Sequence, residues 1–280
     1  MLNIYKLAIF QPKYLRVIGI LIFVGIVMNI DRQKLFASIQ QTDIVFFVIA
    51  LCVQYMVYVL KIIRWHGMVR ATAATPTFNE SWHLYHIGIF LATITPAKLG
   101  EFGKAAYLRQ KGLSMAASVM LVIIDRLIDI FAIAIIAIPS IGILFGVHWS
   151  MIILTCLVLG LIPVRFIWRR IPFSIEGKMI ALSFLATTVS WALYFLWAIL
   201  IAYSVDIHLP IHILIAVFTI TGILSLVPIA PAGLGTRDAA LIAFLLPYGI
   251  APEQAISLAF FMFISMIFNS ITGGYYWIKQ

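Results

Sequence analysis

The sequence predicts an all-α integral membrane protein: six transmembrane helices plus two re-entrant broken helices, arranged as an inverted repeat. Three observations carry that prediction: the composition, the length of the apolar runs, and a motif that occurs twice. Of the 280 residues, 64% are hydrophobic and 10% are charged, with a mean hydropathy of +1.10. An average soluble domain carries about 25% charged residues. A chain this apolar cannot hide its surface inside itself, so lipid must cover part of it. The formal net charge of +9 then reads as membrane topology and contact with anionic headgroups rather than nucleic-acid binding.

Crossing a hydrocarbon core of about 30 Å takes roughly 20 apolar residues of helix. Six runs meet or approach that length, at about 15–30, 44–60, 114–138, 151–167, 179–204 and 254–278. The first ends at Asp31-Arg32 with no small-residue cleavage pattern, so it reads as a short span rather than a signal peptide. Trp65, Trp82, Trp149, Trp168 and Trp277 stand at run ends, where an interfacial aromatic belt belongs. Cys52 and Cys156 both fall inside apolar runs and make a disulfide framework improbable. No polar stretch is long enough for a soluble domain, so residues 1–280 read as one transmembrane domain.

Two further segments, 82–110 and 211–247, are apolar but interrupted. The interruptions are Thr95-Pro96-Ala97-Lys98-Leu99-Gly100-Glu101 and Ala230-Pro231-Ala232-Gly233-Leu234-Gly235-Thr236-Arg237-Asp238, which share a P-A-x-L-G core. A second matched point follows each, Gly112-Leu113-Ser114 and Gly249-Ile250-Ala251. Each half, about 1–145 and 146–280, is then two helices, one broken segment and one helix. Cytoplasmic loops are enriched in Lys and Arg. If both broken segments leave on the side they entered, fifteen of the nineteen Lys and Arg fall on one side and three (Arg32, Lys34, Arg237) on the other. If both span, the split is seven against eleven and the bias vanishes. The re-entrant arrangement is therefore expected, with both termini cytoplasmic in the cell (inner, cytoplasmic) membrane. Each half crosses three times, which inverts the second relative to the first. Interrupted backbone is tolerated in a bilayer where it lines a cavity, so the breaks are expected to build a site, one from each face.

The strongest charged cluster is Asp125-Arg126-Leu127-Ile128-Asp129, inside an apolar run. Asp125 and Asp129 are four apart and share a helix face; Arg126 and Asp129 are three apart. Intramembrane charge costs about 2.5–3.5 kcal/mol per residue even on insertion scales. The cluster is either a self-neutralising knot that locks helices or a set of ion pairs guarding a polar pathway or taking up a proton. After the first break come Lys98, Glu101, Lys104 and Arg109, a cationic leg suited to a phosphate headgroup, or to simple snorkelling. At the second break, Gly233 and Gly235 permit close backbone approach. Thr236 is the expected N-cap of a leg that aims N–H groups at an anion, with Arg237 partnered by Asp238. His83 and His86 lack a third ligand, so no metal or cofactor is expected. Gly142 and Gly146, beside Pro139, read as a kinked helix end rather than a dimer face. No Walker motif, G-x-S-x-G elbow or Cys/His spacing points to catalysis.

Lys61-Ile62-Ile63-Arg64-Trp65, TPAKLGE, Asp125-Arg126-Leu127-Ile128-Asp129 and PAGLGTRDAAL, in that order, resemble the lysylphosphatidylglycerol synthase transmembrane-region family, also described as flippase-like. Its pattern runs R-W, P-x-x-x-G-E, E-R-x-x-D, P-G-G-x-G-x-R-E. Asp125 and Asp238 stand where Glu is usual and Ala232 where Gly is usual. The resemblance implies a polytopic domain that handles or translocates lipids. The larger relatives move an aminoacylated phospholipid between leaflets and carry a soluble aminoacyl-transferase domain, of which this sequence shows none, so lysyl-lipid synthesis is not expected. The motif positions are Arg64, Pro96, Gly100, Glu101, Asp125, Arg126, Asp129, Pro231, Gly233, Gly235, Arg237 and Asp238. The leading expectation is a protein without enzymatic activity that flips a lipid with an anionic phospholipid, aminoacyl-lipid or polyprenyl-phosphate headgroup. Lys98, Lys104, Arg126 and Arg237 would guide the headgroup, while Glu101, Asp125, Asp129 and Asp238 hold those cations. The alternative is a membrane-embedded enzyme or accessory subunit of lipid or glycolipid modification in envelope biogenesis, with Glu101, Asp125 and Asp129 as acid and base; a small-ion or solute transporter is a third reading. Membrane lipids are the expected partners, and a homo-oligomer is compatible with the sequence.

Overall fold

Asp31, Asp43, Thr77 and Ser114 each precede a helix and accept hydrogen bonds from its first free N–H groups, the usual work of an N-cap. The computed structural model describes residues 25–26, 28, 30–72, 74, 76–95, 100–168, 177–224 and 235–279. Among these, all regular structure is helical, in ten α-helices and 3₁₀ turns at 100–102 and Leu246–Tyr248. The helices are α1 (Arg32–Gln40), α2 (Ile44–Arg70), α3 (Phe78–Ile94), α4 (Gly103–Gln110), α5 (Met115–Phe145), α6 (Val147–Trp168), α7 (Gly177–Ser204), α8 (Ile211–Leu224), α9 (Thr236–Leu245) and α10 (Pro252–Ile278). Pro96, Lys98, Pro231, Gly233, most of the run at 15–30 and the basic residues Arg169 and Arg170 lie outside the described residues.

Four stretches are long and apolar enough to cross a bilayer: Ile44–Arg70, Met115–Phe145, Ala181–Ser204 and Pro252–Ile278. Val147–Gly160 and Ile211–Leu224 are shorter apolar helices. Their outward faces carry Ile, Leu, Val, Phe and Met side chains that remain exposed, such as Ile49, Met56, Leu185 and Phe268. This is a multi-pass membrane protein, with lipid solvating that surface.

Two local expectations need correction. α5 does not stop near Pro139 but runs through it to Phe145. It ends at Gly146, whose φ of +99° a side chain would resist. Gly142 instead leaves room for Ser150, which donates to the Ile138 carbonyl at 2.7 Å. Trp65 is not an interfacial residue; it is fully buried against the start of the charged network described below.

Hydrogen bonds and ring contacts fix which helix ends lie together. The Asp43 N–H donates to the Ser204 carbonyl at 2.8 Å, placing the start of α2 beside the end of α7. Phe145 and Phe244 meet at 5.7 Å, placing the ends of α5 and α9 together. Lys111 hydrogen-bonds Glu80, which brings the loop after α4 back to the start of α3, 31 residues earlier; that bond raises the Lys111 pKa above its ordinary value. His83 and Tyr276 stack at 4.1 Å, so the end of α10 also lies there.

The packing has a reciprocal pattern. α2 lies along α7; α3 packs on α10 as α8 packs on α5; α4 packs on α5 as α9 packs on α10. Small residues permit the close approaches, as in membrane helix pairs generally. Ala50, Ala198 and Ala202 sit in the α2–α7 core, and Gly273 of α10 touches α3. A Cβ at Gly273 would fall 2.0 Å from the His86 carbonyl oxygen, whereas one at Gly160 would meet nothing within 4 Å. Gly273→Leu is accordingly expected to lower stability by about 1–3 kcal/mol through overpacking, read as a fall in the melting temperature of detergent-purified protein. Gly160→Ala serves as the control and should melt like the parent.

Candidate functional site

The first break is closed by one hydroxyl. Thr95 Oγ1 donates back to the Leu91 carbonyl at 2.6 Å and accepts from the Gly100 N–H at 2.8 Å. Gly100 is pressed on the Leu91 backbone, where a Cβ would lie 2.4 Å from the carbonyl carbon. This turn sets Glu101 and Lys104 facing α5. At the second break the expected Thr236 cap is replaced. Thr236 is already the first helical residue, the N-cap is Gly235 at φ +79°, and Asp238 Oδ2 accepts its N–H at 2.9 Å. A carboxylate three residues into the helix reaches back more readily than a threonine hydroxyl placed inside the first turn. The same Asp238 accepts from Arg237 Nη2 at 3.1 Å, and Arg237 Nη2 also donates to the Ala259 carbonyl at 3.0 Å.

Around the first break the charges form one continuous network across α2, α4, α5 and α7. Asp125 is wholly buried. It accepts from Arg64 at 2.7 Å and Arg126 at 2.9 Å, with Lys104 at 3.4 Å. Asp129 meets Arg64 at 2.8 Å, Lys61 at 3.0 Å and Arg126 at 3.3 Å. Glu101 meets Arg126 at 2.8 Å and Lys104 at 3.1 Å. Arg64 also donates to Thr187 Oγ1 at 2.7 Å, so one guanidinium ties α2, α5 and α7. At about 1.5 Å per residue, Arg64 lies about 9 Å from the end of α2 and Asp125 about 15 Å from the start of α5.

Lys104 is 1% exposed and held between the rings of Trp65 (4.5 Å) and Tyr85 (4.4 Å). Two aromatic faces and two carboxylates, Glu101 and Asp125, enclose it. Arg64, Lys61 and Lys104 also lose their value as loop charges in the topology count, since all three point into this network.

Beside the network lies a cavity of about 180 Å³. Thr95 and Glu101 from the first break and Gly222 and Arg237 from the second both line it, with Lys61, Tyr58, Ser190, Trp191, Tyr194 and Met266. The structure thus brings Glu101 and Arg237 to one space, with Asp125, Asp129, Arg64 and Arg126 behind it. Sequence reasoning passed over Lys61, Ser190 and Trp191. Lys61 had a visible signal, three residues before Arg64 on one helix face; Ser190 and Trp191 look like ordinary helix residues. Deeper in the bundle, Gln54 Oε1 accepts from Ser265 (2.5 Å) and Asn269 (2.7 Å), and Trp197 donates to Ser265 at 3.0 Å, joining α2, α7 and α10. His83 and His86 diverge: the first stacks on Tyr276 and the second pairs with Thr272 at 3.1 Å. Among the described residues no group of three His, Cys, Asp or Glu is placed to hold a metal.

The chain is thus a multi-pass helical membrane protein whose buried charge network adjoins a cavity lined by residues flanking two helix breaks. The sequence profile of the family described as "Lysylphosphatidylglycerol synthase TM region" matches residues 3–273, nearly the whole chain, and the protein belongs to that family. No curated protein matches the sequence.

Removing one member of a buried pair costs about 3–5 kcal/mol because a charge is left behind without its partner. Arg64→Met and Asp125→Asn should each show a loss of that order in denaturant unfolding of the purified protein. The double variant should lose less than the sum, with a coupling of about 0.5–3 kcal/mol.

Proposed function

We propose that the protein moves a lipid between bilayer leaflets, passing its headgroup through the cavity while the acyl chains stay in the surrounding lipid. The observation that carries this reading is that residues flanking both helix breaks, Thr95 and Glu101 at the first and Gly222 and Arg237 at the second, line the same cavity. In this reading the two broken segments are re-entrant, and the halves form an inverted repeat. The reciprocal packing supports it, as does the direction of the chain. α2 starts beside the end of α7, and the loop after α4 lies beside the start of α3. The basic loops, and with them both termini, then face the cytoplasm across the cell membrane. Family membership fits a membrane role tied to lipids, and the headgroup is anionic, a phospholipid or polyprenyl phosphate.

Arg237 and Lys61 receive the headgroup in this mechanism; Arg64, Arg126 and Lys104 hold Asp125, Asp129 and Glu101 so that the wall keeps its shape while the cargo passes.

The test is movement of fluorescent phosphatidylglycerol in vesicles holding the purified protein, followed by quenching of outer-leaflet label. Movement should exceed that of empty vesicles. Gly222→Leu, which fills the cavity beside Tyr194 without touching an ion pair, should return it to background while melting normally. Equal rates with and without protein sink the proposal.

A further inference from the structure

Four side chains that line the cavity have one chemical property in common. Lys61, Ser190, Trp191 and Arg237 all present hydrogen-bond donors, and three of them, Lys61, Trp191 and Arg237, have no acceptor to offer. Ser190 Oγ and Trp191 Nε1 are buried with no partner, and Ser190 as a residue is 1% exposed. Arg237 Nη1 finds a thioether, Met266 Sδ at 3.9 Å, a weak acceptor for a guanidinium. Buried donors are normally matched, so two unmatched ones and a third matched only by sulfur, around one cavity, point to an absent acceptor.

The carboxylates nearby cannot supply it, because each already serves cations. Glu101 serves Lys104 and Arg126, Asp129 serves Lys61, Arg64 and Arg126, and Asp238 serves Arg237 and the Gly235 N–H. Within the network, four cations (Lys61, Arg64, Lys104, Arg126) face three carboxylates (Glu101, Asp125, Asp129). The site therefore carries surplus positive charge in a low-dielectric setting, where it calls for an anion.

We infer that this cavity is a subsite for the phosphate oxyanion of a lipid whose headgroup carries no ammonium, and that it discriminates against aminoacylated lipids. The inference rests on the lipid-moving reading and sharpens it. A phosphodiester is acceptor-only along its two free oxygens, matches the donors, and neutralises one unit of charge. A lysyl ester would bring ammonium groups to a wall with no unpaired carboxylate. Its remaining attraction, the face of Trp191, is already shared with Lys61 Nζ at 5.7 Å.

The experiment is competition against a fluorescent phosphatidylglycerol on the detergent-purified full chain. The competitors are phosphatidylglycerol, lysylphosphatidylglycerol, diacylglycerol and inorganic phosphate. Phosphatidylglycerol should compete at least about tenfold better than its lysyl ester, the scale of one charge-assisted contact. Diacylglycerol should not compete, and phosphate should do so only at far higher concentration. Ser190→Ala, too small a change to endanger the fold, and Lys61→Met should each weaken phosphatidylglycerol binding several-fold and narrow its margin over the lysyl ester. Equal or tighter binding of the lysyl ester overturns the inference, as does indifference of binding to both variants. Phosphate competing as well as the lipid reassigns the site to a free anion. Vesicle assays separate the two ideas: discrimination in binding without lipid movement removes the transport reading alone, and equal movement of both lipids removes the selectivity alone.

Discussion

The structure depends on what Asp125 requires. A carboxylate with no exposed surface inside an apolar helix persists only where cations meet it at hydrogen-bonding distance. Arg64 arrives from α2, Lys104 from α4 and Arg126 from the next position of α5. Supplying those partners fixes the rest: α2 must lie against α5, the first broken segment must fold back far enough to bring Lys104 in, and α7 must stand close enough for Thr187 to take the spare hydrogen of Arg64. The cavity is the space left beside that assembly, and its wall inherits the rigidity of the network behind it.

The two halves share a packing plan and differ in chemistry. α5 carries Asp125, Arg126 and Asp129, while its counterpart α10 carries one acidic residue, Glu253, in its first turn and no Lys or Arg. Facing the cavity, α10 offers Met262 and Met266, soft side chains that adapt to varied shapes. The result is a polarised chamber, with fixed charge on one wall and a yielding apolar surface on the other. Arg237 joins the two, tied to the Ala259 carbonyl of α10 and open toward the charged side.

Much of this was legible from the residues alone. Helicity, membrane embedding and the positions of the breaks follow from apolar runs and from Pro and Gly, which act locally. The spacings Asp125–Asp129 and Glu101–Lys104 announced shared faces, and the structure pairs those residues with common cations. What sequence could not show is which cation is reachable. Lys104 and Lys61 look alike on paper, and only the rings of Trp65 and Tyr85 closing over the first, and the cavity opening at the second, separate them. The N-cap of α9 was misplaced for a similar reason. Thr236 has the right chemistry, but the backbone enters the helix at Gly235 with a positive φ, so Thr236 is already helical and Asp238 reaches back to the Gly235 N–H.

The reciprocal packing of α3 and α10 has a consequence for biogenesis. The face of α3 around His86 is shaped to receive Gly273, so its partner is made about 190 residues after it emerges from the ribosome. Until α10 inserts, that face and the cavity floor beside it have only lipid or the insertion machinery for company. Folding in the bilayer must therefore wait for α10 rather than proceed half by half, and a nascent chain stalled before Pro252 would expose a ready target for membrane quality control.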